Sequence, residues 1–305
     1  MTKIKVGAYN VTITNPDRIL FPKSKITKEE FIAYYLHIAS HMLGYLKDRP
    51  ISMQRFPEGI DHEGFYQKDA ADYFPAWIKR KKIAKTDGTV DYVVVNNAAT
   101  LVYLANLACI TIHPWLSRID KLNYPDRIVF DLDPSGKNFD FNLVRTTALR
   151  LKDLLKELGL ESYVMTTGSR GLHIWIPIKR LYNYEFVKKF SHDIARVLLS
   201  YDAKNLTLEM RKNKRGKKIF IDWLRNSQGA TSVAPYSVRP KEGAPIAMPV
   251  PWTEIEDKKL TAQRYTIYNV FDALKKRTDP WKDMEKQAHS LSKARLQLDM
   301  LLTDL

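Results

Sequence analysis

The sequence contains very little cysteine and no long apolar run. Cys109 is the single cysteine among 305 residues, so the chain cannot form an internal disulfide, which fits a reducing cytoplasm. It lies in an apolar run and is predicted to be an inert core residue. No stretch approaches the roughly 18 apolar residues of a membrane-spanning helix, and the first residues lack the apolar segment of a secretion signal. We therefore expect a cytoplasmic protein with no membrane partner.

Acidic residues are too few to balance the basic ones. The chain has 34 Asp and Glu against 49 Lys and Arg, which gives a net charge of +15 and a pI near 9.6. This excess favours a polyanionic partner such as nucleic acid, although charge alone leaves a solvated basic surface as an alternative. One segment is especially basic, and we interpret it as a mobile loop that grips phosphates. Its basic residues are Arg211, Lys212, Lys214, Arg215, Lys217 and Lys218.

Strand-like and helix-like patterns follow one another without a regular βαβ alternation, which predicts the α+β class. We expect one domain over residues 1–305, with an N-terminal subregion to about 110 and a catalytic core over about 111–250. The patterns predict a strand pair over 3–14, a helix opened by a capping box at Thr27–Glu30, a helix over 97–110, a strand near 127–133, a helix near 140–158, strands over 161–167 and 172–178, a helix over 186–201, a strand over 219–224 and a final helix near 283–302.

The strand near 127–133 carries the most informative pattern. Phe130 and Leu132 fall on one face and Asp131 and Asp133 on the other, so the two carboxylates project side by side about 6.6 Å apart. Two such charges repel unless a cation lies between them, and oxygen ligands suit Mg²⁺ or Mn²⁺. A strand ending in Asp-x-Asp also opens the haloacid-dehalogenase phosphatases, but no downstream acidic pair follows here. Two solvated aspartates remain a further alternative.

A glycine-rich turn offers a second set of groups for phosphate chemistry. Glycines let backbone N–H groups approach an anion closely, and an arginine can fork onto phosphate oxygens. Most glycine-rich turns are plain hairpins, but this one carries four phosphate-compatible side chains within seven residues. They are Thr167, Ser169, Arg170 and His173.

Asp222 lies in the apolar run from Phe220 to Leu224, where a carboxylate is costly to bury unless it is paired or bound to a metal. It could complete a three-carboxylate site with Asp131 and Asp133, or form a buried ion pair with a nearby arginine. Three carboxylates, a phosphate-binding turn and a basic loop together indicate two-metal phosphoryl transfer to a primer 3′-hydroxyl.

One motif points elsewhere. The run from Lys85 to Gly88 matches the Lys-x-Asp-Gly signature of adenylated-lysine ligases, but Val90 stands where those enzymes have arginine. Asp-Gly between two strand-like runs predicts an ordinary hairpin turn. We therefore exclude ligase activity in this chain.

In the order of these motifs, from Asn15–Arg18 to Ser237–Pro240, the chain resembles the polymerase domain of the ligase D enzymes of prokaryotic end joining, in the archaeo-eukaryotic primase superfamily. The resemblance implies a primase-like core with a mixed β-sheet flanked by helices, in a stand-alone version without ligase or nuclease modules. It also implies two Mn²⁺ or Mg²⁺ ions held by Asp131, Asp133 and Asp222, with Mn²⁺ commonly favoured.

The resemblance implies further residue roles. The Thr167–His173 turn matches the loop that holds the incoming triphosphate, with Ser169 in place of the family's second glycine, which puts its backbone geometry in question. Arg18 and Lys28 match positions that bind a DNA 5′-phosphate. Positions that contact nucleotide or DNA are matched by Arg55, Phe65, Lys68, His113, Arg225 and Arg239, with Phe65 stacking on a base.

These inferences lead to one expected function. We expect a DNA-directed nucleotidyltransferase that extends primer ends with nucleoside triphosphates, prefers ribonucleotides and fills short gaps before ligation. Its expected partners are gapped or broken DNA with a 5′-phosphate, a separate ligase and a Ku-type protein, and its expected location is the nucleoid. The alternatives are a primase or polymerase outside end joining, a phosphatase with Asp131 as nucleophile, and a non-catalytic protein that bridges DNA ends.

Overall fold

The computed structural model describes residues 2–136, 138–303 and 305. Its strands are β1 (Thr2–Val6), β2 (Tyr9–Ile13), β3 (Ile19–Phe21), β4 (Ile26–Thr27), β5 (Ile51–Arg55), β6 (Phe65–Gln67), β7 (Arg80–Lys85), β8 (Gly88–Val93), β9 (Cys109–Pro114), β10 (Arg127–Pro134), β11 (Tyr163–Thr166), β12 (Leu172–Pro177), β13 (Leu206–Thr207), β14 (Ile219–Asp222) and β15 (Met248–Val250). Its α-helices are α1 (Lys28–Leu46), α2 (Ala98–Asn106), α3 (Phe141–Glu157), α4 (Tyr184–Tyr201), α5 (Trp252–Ile255), α6 (Val270–Lys275) and α7 (Ser292–Thr303).

The chain forms two compact units, each built from three segments. The first unit contains Met1–Asp120, Thr231–Ala247 and Tyr265–Ala273, and the second contains Lys121–Ala230, Met248–Arg264 and Leu274–Leu305. The expected division into an N-terminal subregion and a core remains a prediction, because compactness alone does not define a domain.

The first unit combines small antiparallel sheets with two helices. Its sheets are the pairs β1-β2, β3-β4 and β7-β8 and the three-stranded sheet β6-β5-β9. Helix α1 begins with the predicted capping box, in which Thr27 and Glu30 each bond the other's backbone N–H. The predicted apolar stripe of this helix, Phe31, Tyr34, Tyr35, Ile38 and Met42, is buried. The predicted Asp-Gly turn is also confirmed, since Lys85 pairs with Gly88 across a two-residue loop.

The second unit is built on one six-stranded sheet in the order β13-β14-β10-β12-β11-β15. Strands β13 and β14 are parallel and the other neighbours are antiparallel, so the sheet is mixed. Helices α3 and α4 pack on the central strand β10, whose apolar residues Ile128, Phe130 and Leu132 are fully buried. The predicted α+β class, with a mixed sheet flanked by helices, is confirmed.

Two helices are shorter than their patterns predicted. The helix expected over 97–110 ends at Asn106, because Ala108 adopts a left-handed conformation with φ 53° and the β-branched residues after Cys109 form β9. Cys109 is a core residue, as predicted, and burial raises the pKa of its thiol to about 12. The final helix starts at Ser292 rather than near 283, because Asp283 has φ 64° and a separate 3-10 turn spans Met284–Gln287.

Within the described residues, no helix combines the length and the apolar character that crossing a bilayer requires.

Gly171, at the start of β12, permits a close approach between β12 and β10. A Cβ atom at this position would lie 2.0 Å from the carbonyl oxygen of Leu132, which is the residue between Asp131 and Asp133. We predict that Gly171→Ala lowers the free energy of unfolding by about 1–3 kcal/mol, because the two strands must separate. Chemical denaturation of the purified variant measures this change.

Gly44 provides the matched control for this substitution. It lies inside α1, and a Cβ atom there meets no atom within 4 Å. Gly44→Ala is expected to stabilise the protein by about 0.5–1 kcal/mol, since glycine is unfavourable inside a helix. Equal stability changes for the two variants would contradict the proposed clash at Gly171.

Candidate active site

The mixed sheet brings the three predicted aspartates together on neighbouring strands. Asp131 on β10 and Asp222 at the end of β14 are direct cross-strand partners, and Asp133 pairs with Phe220. Asp131 and Asp133 are two residues apart, so they project from the same face of β10. All three aspartates are partly buried, whereas Phe130 and Leu132 on the opposite face are fully buried. The alternative of two fully solvated aspartates is therefore wrong.

Basic side chains surround the pair formed by Asp131 and Asp222. The guanidinium of Arg225 lies between them, with Nε 3.1 Å from Asp222 Oδ2 and Nη2 3.5 Å from Asp131 Oδ2. His173 pairs with Asp131 across β10 and β12, and its Nε2 lies 3.3 Å from Asp131 Oδ1. The ion pair between Asp222 and an arginine, considered from the sequence, is present. It belongs to a larger cluster of carboxylates.

Asp133 has two arginine partners of its own. Arg170 Nη2 lies 2.9 Å from Asp133 Oδ1, and Arg170 Nη1 donates a hydrogen bond to the carbonyl of Gly136. Arg215 Nη1 lies 3.5 Å from Asp133 Oδ2. Each carboxylate of the cluster is thus neutralised by side chains of this chain.

The electrostatics of the cluster favour a positive ligand. Burial raises the pKa of Asp222, and the like charge of Asp131 adds to this effect, while Arg225 opposes it. A set of three carboxylates supplies the hard oxygen donors that Mg²⁺ and Mn²⁺ prefer, so the residues fit such a cation. In the described part of the chain, no three or more His, Cys, Asp or Glu side chains converge as a finished metal site. Here arginines occupy the space beside the carboxylates.

The Thr167–His173 turn lies directly beside these aspartates. Thr167 closes the turn, because its Oγ1 donates to the carbonyl of Gly171 and accepts from the backbone N–H groups of Ser169 and Gly171. Gly168 is the residue of the turn with positive φ, at 64°, so the serine that replaces a family glycine at 169 does not take the left-handed conformation. The substitution therefore leaves the turn's backbone unstrained. Arg170 and His173 both point towards the carboxylates.

The basic loop of residues 211–218 is anchored by one of its own arginines. Arg215 is only 6% exposed, packs 3.7 Å over the ring of Phe220, and donates to the carbonyls of Glu209 and Met210. The side chain of Arg215 is turned inward to Asp133 in this structure, and its contact with DNA stays a prediction. Nothing in the sequence distinguished Arg215 from its basic neighbours. The other basic residues of the loop are exposed or half-exposed: Arg211, Lys212, Lys214, Lys217 and Lys218.

In the first unit, β5 and β6 bring Arg55 and Phe65 together as cross-strand partners. The Arg55 guanidinium lies 5.4 Å from the centre of the Phe65 ring, which is 45% exposed and is not a core aromatic. The next residue, Tyr66, is 60% exposed and lies 5.7 Å from the ring of the buried His113. Tyr66 was not among the site residues predicted from the sequence, although it directly follows Phe65 in the same short strand. Lys68 is exposed beside them.

Arg18 and Lys28 also lie close together in the first unit. The backbone N–H of Lys28 donates to the carbonyl of Arg18, and Lys28 Nζ donates to Thr14 Oγ1. Arg18 bonds the carbonyl of Pro57 and the carboxylate of Glu58. Burial and the positive charge of Arg18 lower the pKa of Lys28 to about 8. An anion bound beside Arg18 and Lys28 would reduce the repulsion between these two cations.

Arg239 belongs to the irregular segment of the first unit. Its backbone N–H donates to the carbonyl of Pro245, and the residue is half-buried. The site residues therefore form two groups: one around the aspartates in the second unit, and one with Arg18, Lys28, Arg55, Phe65, Lys68, His113 and Arg239 in the first.

Comparisons with known proteins identify the family of this chain. A family model described as the LigD primase-polymerase domain matches residues 27–281. The multifunctional non-homologous end joining protein LigD of Mycolicibacterium smegmatis is 33% identical over 276 residues, which are 90% of this chain and 35% of that protein. The bifunctional LigD of Bacillus subtilis is 33% identical over 271 residues, which are 88% of this chain and 43% of that protein. The chain thus spans less than half the length of these curated relatives.

A solved structure is also similar. The polymerase domain from Mycobacterium tuberculosis ligase D in complex with DNA superposes with a TM-score of 0.85 at 30% identity, covering 92% of this chain and 99% of that one. The family match and the similar fold confirm the resemblance that the order of motifs in the sequence indicated. The chain therefore belongs to the LigD primase-polymerase domain family, which makes it a polymerase-type nucleotidyltransferase.

Proposed function

We propose that this chain extends the 3′-hydroxyl of a DNA primer with nucleoside triphosphates, by two-metal phosphoryl transfer, and fills short gaps during double-strand-break end joining. The observation that carries the proposal is the cross-strand pair of Asp131 and Asp222, with Asp133 on the same face of the sheet. A carboxylate cluster of this kind, in a chain of the LigD primase-polymerase family, supports nucleotidyl transfer over the phosphatase alternative, whose downstream acidic pair is missing from the sequence.

The three aspartates would hold two divalent cations, Mn²⁺ or Mg²⁺, through their oxygens. When bound, such ions make the primer hydroxyl a better nucleophile and neutralise charge on the transferring phosphate. The sheet contributes rigidity, because Asp131 and Asp133 project from its central strand. Rigid placement of charged groups is a large part of catalysis in this type of reaction.

The basic groups near the aspartates are proposed to bind the triphosphate. Arg170, Arg225 and His173 are paired with carboxylates here, and all three can donate to phosphate oxygens instead. Thr167 acts through the shape of the turn, since its hydroxyl closes the turn. Ser169 precedes Arg170 in that turn, and its backbone N–H is held by Thr167.

The first unit supplies the proposed contacts to DNA and to the nucleotide base. Exposed Phe65 offers a stacking surface, and such stacking contributes about 1–3 kcal/mol per base. Arg18 and Lys28 would bind a 5′-phosphate at a gap or break. Arg55, Lys68, His113 and Arg239 are proposed nucleotide contacts, and the exposed basic residues of the 211–218 loop are proposed DNA contacts. The similarity to a polymerase domain solved in complex with DNA supports this role.

The biological setting follows from the relatives, which are end-joining proteins. We propose that residues 1–305 work as one polymerase domain at the nucleoid, with a ligase and a Ku-type protein as partners, and with a preference for ribonucleotides. The family model spans segments of both compact units, which supports a single working domain. The alternative of a primase outside end joining predicts synthesis that starts without a primer.

Loss of one carboxylate tests the catalytic assignment. We predict that Asp131→Asn lowers the rate of primer extension by about 100-fold or more, because the variant keeps the side-chain size but removes a negative charge that would hold the divalent cations. The assay is Mn²⁺-dependent extension across a gap with a 5′-phosphate, with ribonucleotides and deoxyribonucleotides compared.

The matched control is Asp153→Asn, which removes an exposed aspartate of α3 in the same unit. This variant should extend primers at the wild-type rate. Wild-type activity in Asp131→Asn would refute the catalytic assignment.

The pKa of Lys28 gives the proposed phosphate pocket a defined pH dependence. Because this pKa is lowered to about 8, the ammonium is present below that pH and lost above it. A DNA 5′-phosphate has its second pKa near 6, so its charge does not change over this range. We predict that the preference for 5′-phosphorylated over 5′-hydroxyl gaps falls as the pH rises from 7 to 9.

Two substitutions at Lys28 separate charge from general pH effects. Lys28→Arg keeps a cation at every pH used, so its preference should persist at pH 9. Lys28→Ala should lower the preference about tenfold at pH 7, because a charge-assisted hydrogen bond is removed. If Lys28→Ala kept the full preference, the phosphate pocket would lie elsewhere.

A further inference from the structure

Asn226 is a fully buried polar residue just after the strand that carries Asp222. It ends the short 3-10 helix Leu224–Asn226 and has no exposed surface. Its side-chain Oδ1 accepts from the backbone N–H of Val129 at 2.8 Å, and its Nδ2 donates to the backbone carbonyl of Val129, also at 2.8 Å. The same Nδ2 donates to the carbonyl of Trp223 at 2.9 Å. Both N–H donors of this amide and its oxygen thus bond backbone groups beside the aspartate cluster.

The amide continues a strand pairing that the backbone itself leaves unfinished. Asp131 on β10 pairs with Asp222, which is the last residue of β14. Val129 lies two residues before Asp131, so its N–H and carbonyl point to the same side of β10, where Leu224 would pair if β14 continued in register. The chain has turned away there, and the side chain of Asn226 takes both hydrogen bonds. The end of the β10–β14 ladder is therefore fixed by a side chain.

The turn that Asn226 ties to β10 carries the groups that contact the carboxylates. Leu224 donates its backbone N–H to Asp222 Oδ1 at 3.0 Å, and Arg225 bridges Asp222 and Asp131. Trp223 packs its ring 4.2 Å from that of His192 on α4, which holds the other side of the turn. If the amide of Asn226 were lost, the turn would keep its contact with α4 but lose its hydrogen bonds to the backbone of β10.

We propose that Asn226 is a positioning residue for the phosphoryl-transfer site: it holds the 223–226 turn on β10 and so fixes Asp222 and Arg225 relative to Asp131. This proposal rests on the proposed function, since the reaction is what the positioning serves. Asn226 acts through Asp222 and Arg225, because its own amide bonds the backbone of Val129 and Trp223 rather than a carboxylate.

The first unit contains a residue with the same hydrogen bonds but without a carboxylate cluster. Asn106 is buried at the end of α2, accepts from the backbone N–H of Thr14 at 3.0 Å and donates to the carbonyl of Thr12 at 3.1 Å. Removing either amide takes a hydrogen-bond partner from a backbone N–H and from a backbone carbonyl. Asn106→Leu is therefore a control for the loss of stability that accompanies Asn226→Leu.

The experiment compares these two leucine variants on a primer–template that lacks a downstream 5′-phosphate. Both should lower the melting temperature by about 2–6 °C, because buried backbone groups lose their partners. Asn226→Leu should also lower kcat/KM for the nucleotide by about 10-fold to 100-fold, measured well below its melting temperature. Its Kd for the DNA should stay within about twofold of wild type, whereas Asn106→Leu should keep both constants. Hydrogen exchange should show faster exchange of the Val129 amide in Asn226→Leu.

A second variant keeps the test valid if the leucine variant does not fold. Asn226→Ala leaves room for a water that can satisfy Val129, but a water does not tie the turn to β10. If Asn226→Ala shows the same decrease in kcat/KM as Asn226→Leu but a smaller decrease in melting temperature, the result supports a positioning role for Asn226. Wild-type kcat/KM in a folded Asn226 variant, or an equal loss in Asn106→Leu, would overturn the proposal. If wild-type protein did not extend the primer at all, the proposed function itself would fail.

Discussion

The repulsion between Asp131 and Asp222 is the constraint on which the rest of the site depends. As direct cross-strand partners they stand roughly 5 Å apart, and two unit charges at that distance repel by about 3 kcal/mol in a partly buried environment. Asp133 adds a third charge on the same face of β10. The sheet cannot relieve this repulsion by moving, since β10 is its central strand and the opposite face is packed with apolar side chains.

Three arginines and one histidine from the surrounding structure converge on that point. Arg225 comes from the turn after β14, His173 from β12, Arg170 from the glycine-rich turn and Arg215 from the basic loop. Three segments thus meet at one cluster of carboxylates: the 167–173 turn with the start of β12, the basic loop, and the turn after β14. The close approach of Gly171 to Leu132 places the Thr167–His173 turn against β10. The contact of Arg215 with the ring of Phe220 holds the basic loop beside the same carboxylates. A cation that replaced these side chains at the carboxylates would leave them available for phosphate groups.

The sequence predicts the parts of this site that depend on short-range patterns. Strict alternation assigned Asp131 and Asp133 to one face, and the capping box located the start of α1. The pairing of Asp131 with Asp222 is a register between strands about 90 residues apart, which no local pattern determines. For the same reason the inward turn of Arg215 and the contact between Asn226 and Val129 were not foreseen. The helix predicted after Asn97 was too long. Ala and Leu have high helix propensity, but the residues from Cys109 onward form β9 because they pair with β5.

The central claim is that the three carboxylates form a cation site in which arginine side chains compete with the metal. Electron paramagnetic resonance of Mn²⁺ titrated into the protein alone tests it directly, because protein binding removes the signal of the free ion. The account predicts saturable binding by wild type, at least tenfold weaker binding by Asp222→Asn, and tighter binding by Arg225→Gln, since a competing charge is gone. Equal Mn²⁺ affinity in all three proteins would contradict it.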